Sequence, residues 1–247
     1  MKYIVHLIMK NRLFLSIAIL LTSLGLSQAG DFAKREIHGF SFDGGLFAFE
    51  EYGVQDGSGF AYANIYVINT ATDQWTAGSP FRVLLKDDTK SVFDAREEAR
   101  IMAGPVMKSF EGRGNVVATN RSTEKGIDSK RMVANPRFVV PPIDEEIEYR
   151  ITKKSFIASE LCAPFGPAIG FKLTQIATGP SQSSRILHED QSVPKSRNCP
   201  RDYDFADLVT YYPTNASPKV AIIILMTTQG FEGPDGRFLA ITASIGP

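Results

Sequence analysis

Cysteine is almost missing from this chain. Cys162 and Cys199 are the two in 247 residues, too few for a zinc ribbon or a cysteine-rich scaffold. Histidine is nearly as scarce, with His6, His38 and His188. His188-Glu189-Asp190 lacks the second histidine of an H-E-x-x-H zinc motif. No G-x-S-x-G elbow occurs, which removes an α/β-hydrolase serine site. The S-x-x-K matches at Ser122–Lys125 and Ser192–Lys195 lack the S-D-N and K-T-G elements that give that motif meaning. Charge of one sign is also absent: 27 basic residues balance 27 acidic ones, so there is no electrostatic footprint for nucleic acid or an anionic membrane. Past residue 29 no apolar run approaches the roughly 20 residues of a spanning helix. The strongest, Val220 to Met226, has the length and composition of a buried strand.

The first 29 residues carry a clear signal. Lys2, Lys10 and Arg12 precede an apolar run from Leu13 to Leu24, and Ser27-Gln28-Ala29 ends it with small residues where a signal peptidase reads. This order predicts a secretory signal peptide over 1–29, cleaved after Ala29. A single mainly β domain is expected over 30–247, located in the periplasm or secreted, with no membrane span after cleavage. In such a compartment an even pair of cysteines predicts a Cys162–Cys199 disulfide. A reactive thiol or a metal ligand is the competing reading, and it lacks a histidine close to both sulfurs.

From Ile37 onward the chain alternates with a period of two. Strands are expected around Leu46–Glu51, Ile65–Ile68, Trp75 and Phe81–Leu85. More are expected at Asn115–Thr119, Phe138–Val140, Ile147–Ile157, Gly170–Ile176, Arg185–His188, Asp207–Tyr212, Val220–Thr228 and Arg237–Thr242. Asn120 to Arg131 is polar and reads as a loop. One helix is predicted near 90–110. Val92, Ala95, Ala99, Met102, Val106 and Phe110 form its apolar stripe, Asp88, Thr89 or Ser91 caps its start, and Gly104-Pro105 kinks or breaks it. Ten to twelve strands against one helix give a mainly β fold, sandwich-like or barrel-like, with one amphipathic helix packed on it. An α+β or partial propeller-like arrangement is the alternative.

Two resemblances follow from particular segments. Phe40-Ser41-Phe42-Asp43-Gly44-Gly45-Leu46-Phe47-Ala48-Phe49 with Asn64-Ile65-Tyr66-Val67-Ile68-Asn69-Thr70 resembles one blade of a TolB-like β-propeller, echoed at Gly230 to Ala240. Phe42 stands where that pattern has proline, and no further copies occur, whereas a propeller needs at least four blades. The second resemblance covers nearly the whole mature chain. Gly39-Phe40-Ser41, Phe49-Glu50-Glu51-Tyr52-Gly53, Ile65-Tyr66-Val67-Ile68, Ser196-Arg197-Asn198-Cys199-Pro200 and Gly230 to Ala240 are similar to a bacterial family of predicted secreted proteins of unknown function. That resemblance implies a periplasmic location and assigns no catalytic residue.

Acidic residues crowd the hairpin that holds Asp43, Glu50, Glu51 and Asp56, yet the D-x-D-x-D-G spacing of a calcium loop is missing, so no metal site and no cofactor are expected. Neighbouring Glu50 and Glu51 should face opposite sides of a strand. Solvated charge is the plain reading of the paired acids at 50–51, 145–146 and 189–190. The candidate ligand-binding group is Glu50, Glu51, Tyr52 and Asp56 with Asp235 and Arg237 of the Gly233–Arg237 turn, polar groups on loops beside aromatic strands. Turn-making by Asp43 and Asp235 with their glycines is the structural alternative. The functional expectation is a non-catalytic binding or interaction module of the cell envelope, its partner an envelope protein or a glycan and not a nucleic acid. A carboxylate-dependent hydrolase acting on an envelope glycan is the alternative.

Overall fold

The computed structural model describes residues 30–108, 110–121, 128–230 and 233–246. The segment 1–29, expected to be a signal peptide, and positions 122–127 of the polar stretch, including Ser122 and Lys125, lie outside the described residues.

The first sheet is built from β1 (Lys34–Ser41), β2 (Leu46–Val54), β3 (Ala61–Asn69), β4 (Gln74–Trp75), β5 (Phe81–Leu85) and β6 (Phe110–Arg113), in the order β4-β3-β2-β1-β6 with β5 also on β3. The helix α1 (Val92–Met107) lies between β5 and β6 in sequence. The chain then lays down β7 (Asn115–Thr119) and moves to a second sheet of β8 (Arg131–Ala134), β9 (Ile147–Phe156), β10 (Ala168–Ile176) and β11 (Arg185–Glu189). It returns with β12 (Pro200–Tyr211), β13 (Lys219–Gln229) and β14 (Pro234–Ser244), which join β7 in the order β14-β13-β12-β7. Every strand pairing within these sheets is antiparallel, and no sheet closes into a barrel.

The β7–β12–β13–β14 sheet is the middle layer. Val220, Ile222, Ile224 and Met226 of β13 pack with Tyr149, Phe171 and Leu173 of the β8–β11 sheet. The alternate residues Ala221, Ile223 and Leu225 pack with Phe40, Phe47 and Phe49 of the first sheet. A strand with both faces covered needs apolar residues at every position, which is why Val220–Met226 has no polar alternation. Each large side chain withdrawn this way contributes roughly 1.5–3 kcal/mol. The fold is therefore a three-layer β sandwich with a helix on its outer face.

That helix packs on the sheet mainly through small residues. Ala95, Ala99 and Ala103 are its buried residues, set against Ala48, Ala61 and Ala63 of β2 and β3. Small side chains on both surfaces let backbone approach backbone. Met102, expected inside, is 46% exposed, and Phe110 belongs to β6 rather than to the helix. Ser91 is the N-cap, its hydroxyl accepting from the Asp94 amide while the Asp94 carboxylate accepts from the Ser91 amide. The helix continues past Pro105 to Met107.

Three other expectations change. Phe138–Val140 is not a strand but part of an exposed loop, because Pro141 and Pro142 have no N–H to donate to a ladder. Arg137 and Asp144 close its neck with an ion pair, Nε to Oδ2 at 2.7 Å. Arg131, expected in the polar loop, opens β8. The propeller-like segments are also reassigned. The Asp43-Gly44 turn joins β1 to β2 of one sandwich layer, with Gly44 at φ +70° and Asp43 Oδ1 accepting from Ser41 Oγ at 2.6 Å. Asp235-Gly236, read as a turn, lies inside β14. There Phe32 crosses Gly236 so closely that any Cβ would fall 2.4 Å from the ring.

Candidate functional site

β14 is an edge strand of the middle sheet, and a cleft of about 870 Å³ runs along it. One wall comes from the first sheet, through Glu51, Asn64, Tyr66 and Trp75. The opposite wall comes from His188 of β11 and the segment Pro194–Asn198.

The first wall is fixed by Glu51. Its side chain is 2% exposed and accepts three hydrogen bonds. Tyr66 Oη donates to Oε1 at 2.8 Å and Asn64 Nδ2 to the same oxygen at 3.0 Å. The Phe238 amide of β14 donates to Oε2 at 2.8 Å. Burial first, then the neighbouring Glu51 charge, pushes the Tyr66 phenol well above its ordinary range, so it stays a donor. Phe49 and Tyr66 stack with ring centres 4.8 Å apart, and Trp75 meets Tyr66 at 5.9 Å. This aromatic row runs from the core to the half-exposed indole of Trp75 in the cleft.

The second carboxylate that ties the sheets together is Asp73, from the turn between β3 and β4. Its Oδ1 accepts from the amide of Thr242 at 2.7 Å and from Thr242 Oγ1 at 2.9 Å. Burial pushes the Asp73 carboxyl above its usual range, against the lowering effect of those two bonds.

Asp190 organises the opposite wall from just behind it. His188 Nε2 lies 2.9 Å from Oδ1, while Arg197 Nη1 and the Phe171 amide donate to Oδ2 at 2.7 and 2.8 Å. Burial would raise the Asp190 carboxyl, but these partners hold it below the ordinary range. His188 also stacks on Phe171 at 4.8 Å, so the imidazole is oriented from two sides. The Cys162–Cys199 disulfide, with Cα atoms 5.4 Å apart, secures the end of the Pro194–Asn198 segment.

Of the residues nominated from sequence, Glu51, Asp56, Asp235 and Arg237 come together around this cleft. Arg237 is already engaged, donating to the Asp31 backbone oxygen at 2.6 Å and pairing with the Asp31 carboxylate. Asp235 Oδ1 accepts from the Asp31 amide at 3.2 Å. Glu50 and Tyr52 lie elsewhere, on the helix side of the first sheet. Glu50 accepts from Arg96 Nε and Nη2, both at 2.9 Å, and the Arg96 guanidinium lies over the Tyr52 ring at 3.9 Å. Burial raises the Glu50 carboxyl, but His38, Arg96 and Arg100 outweigh it and lower it to about 2. The reading of Glu50, Glu51 and Asp190 as solvated charge is corrected: all three are buried and bound. The sequence reading missed Asn64, Asp73, Trp75, Arg82, His188 and Ala240 as cleft residues. A single tryptophan beside turn chemistry is the one local signal that pointed there.

The family described as Predicted secreted protein (DUF2259) matches residues 48–244 of this chain. No curated protein and no solved structure matches it.

Proposed function

The chain belongs to this family of predicted secreted proteins, and from that premise we propose that it is a non-catalytic binding module of the cell envelope, working in the periplasm and holding its ligand in the cleft along β14. The observation that carries this reading is the way the cleft is held open. Glu51, Asp73 and Asp31 each lock a backbone or guanidinium group of β14, so the acids around the cleft frame it. A rigid frame of bound polar groups with an aromatic face suits recognition of a ligand in a fixed pose. The exposed loop with Phe138, Val140 and Ile143 adds a second surface suited to contacts with an envelope component.

A hydrolase acting on an envelope glycan keeps one observation in its favour. The Asp73 carboxyl is pushed upward by burial and its Oδ2 makes no hydrogen bond among the described residues. A proton donor to a leaving group needs that combination.

Trp75 is the chain's one tryptophan, so its emission reports directly on the cleft. Titration with soluble glycan fragments and short peptides should give a saturable change in that emission, and Trp75→Ala should weaken binding measured by calorimetry. Saturable binding that leaves the emission unmoved and survives Trp75→Ala would place the ligand site elsewhere. Steady conversion of a bound fragment into products would favour the hydrolase.

A further inference from the structure

Resting on the reading of the cleft as a ligand site, we propose that it takes an N-acetylated saccharide, whose acetamido group exchanges a pair of hydrogen bonds with the backbone of Ala240. In an antiparallel strand the N–H and C=O of one residue point to the same side, and successive residues alternate. The ladder between β13 and β14 has no irregularity, so the even-numbered residues of β14 turn their backbone groups to the free edge. Gly236 donates to the Asp31 oxygen and accepts from the Ala33 amide. Phe238 donates to Glu51, and Thr242 donates to Asp73. Ala240 lies between them and lines the cleft, and neither its N–H nor its C=O has a partner among the described residues.

One donor and one acceptor on the same residue match a single secondary amide, which offers the complementary pair. Carboxylates occupy the neighbouring N–H groups on both sides, so a longer peptide strand cannot extend the sheet in either direction. The ligand must therefore present an isolated amide on a body that is not a strand. Trp75 gives the flat apolar surface on which a sugar ring packs its C–H face. Gln55, Gln74 and Asn198 offer paired donors and acceptors for hydroxyl groups. Arg82 also lines the cleft and makes no hydrogen bond or ion pair among the described residues, which leaves its guanidinium for a ligand oxygen.

The test compares three trisaccharides on the full mature chain: chitotriose, its fully deacetylated form, and cellotriose. Binding is read by Trp75 emission and by the amide resonance of Ala240. Chitotriose should bind with a shift of that resonance, and the other two about tenfold more weakly, the cost of one lost hydrogen-bond pair. Ala240→Pro removes the outward N–H at an edge position that tolerates proline. It should weaken chitotriose about tenfold and the other sugars hardly at all. Equal affinity for all three sugars, or an unmoved Ala240 resonance, would overturn the acetamido claim and leave the cleft reading in place. No binding of chitotriose at millimolar concentration, while another probe still shifts Trp75, would overturn the saccharide. Chitotriose bound without any response from Trp75 or Ala240 would instead remove the cleft reading itself.

Discussion

Glu50 and Glu51 are adjacent in β2 and serve different layers of the protein. Glu50 points to the helix and holds Arg96 with two bonds of 2.9 Å, whereas Glu51 points to the middle sheet and accepts the Phe238 amide at 2.8 Å. Both carboxylates are buried, at 0% and 2% exposure, so neither is part of a solvated acidic patch. The strand's period of two lets one dipeptide pin the sheet from both sides. One acid fastens the helix and the other sets the edge of the cleft.

The Glu50 pair makes stability depend on acid. Its carboxyl titrates at about 2 in the fold and near 4.5 in the unfolded chain, so its contribution is complete above about pH 4.5. It is lost as pH falls from there toward 2, a loss on the order of 3 kcal/mol. Glu50→Gln should lower stability at pH 7 by about 3 kcal/mol, because Arg96 loses a buried partner. The acid limb of the melting-temperature profile should flatten with it. Melting curves between pH 2 and 7 check both effects, and an unchanged acid limb would count against the pairing.

Glu51→Gln tests the other side. Three donors converge on its two oxygens, and glutamine has one acceptor oxygen, so at least one donor is left facing an amide nitrogen. Stability should fall by about 2 kcal/mol. Hydrogen exchange at the Phe238 amide should speed up while the core of β13 stays protected. Exchange that accelerates uniformly along β13 and β14 would mean that Glu51 has no local hold on the edge.

These partnerships explain what the chain's text revealed and what it concealed. The fold class could be read because Val220–Met226 is apolar without a break and the other strands alternate, both local patterns. The opposite orientations of Glu50 and Glu51 also follow from local geometry. Their burial does not, since it depends on Arg96 and Phe238, which lie 46 and 187 residues downstream. Arg237 and Asp31 are 206 residues apart, and Thr242 and Asp73 are 169 apart. No pattern within a window of a dozen residues carries such pairs. Phe138–Val140 failed for the opposite reason: its composition is that of a strand, but the prolines behind it deny the ladder its donors.

The disulfide couples stability to the cleft wall. Cys162 and Cys199 are 37 residues apart, and closing a loop of that size contributes about 4 kcal/mol in the chain-entropy account. The double variant Cys162→Ser with Cys199→Ser should lose most of that in urea denaturation. Proteolysis should then cut first within Pro194–Asn198, because the segment loses its anchor next to Asn198. Cleavage that begins elsewhere would show that Asp190 and Arg197 hold the wall without help from the disulfide.

Asp73→Asn separates a binding module from a hydrolase, since the two readings assign this residue different work. Asparagine keeps the oxygen that accepts from the Thr242 amide and hydroxyl, so the tie between the first and middle sheets survives. What disappears is a charge that burial disfavours. The Asp73 carboxyl is raised in the fold, so at pH 7 its ionised form costs more in the native state than in the unfolded one. The variant should therefore melt higher than the parent at pH 7.5, and the gap should shrink as pH falls and the parent's carboxyl takes up its proton. Saccharide affinity should stay within about threefold, as the pose is fixed by other groups. In a day-long incubation neither protein should shorten chitotriose. If the parent does and the variant does not, Asp73 is the acid of a glycan hydrolase and the non-catalytic reading is wrong.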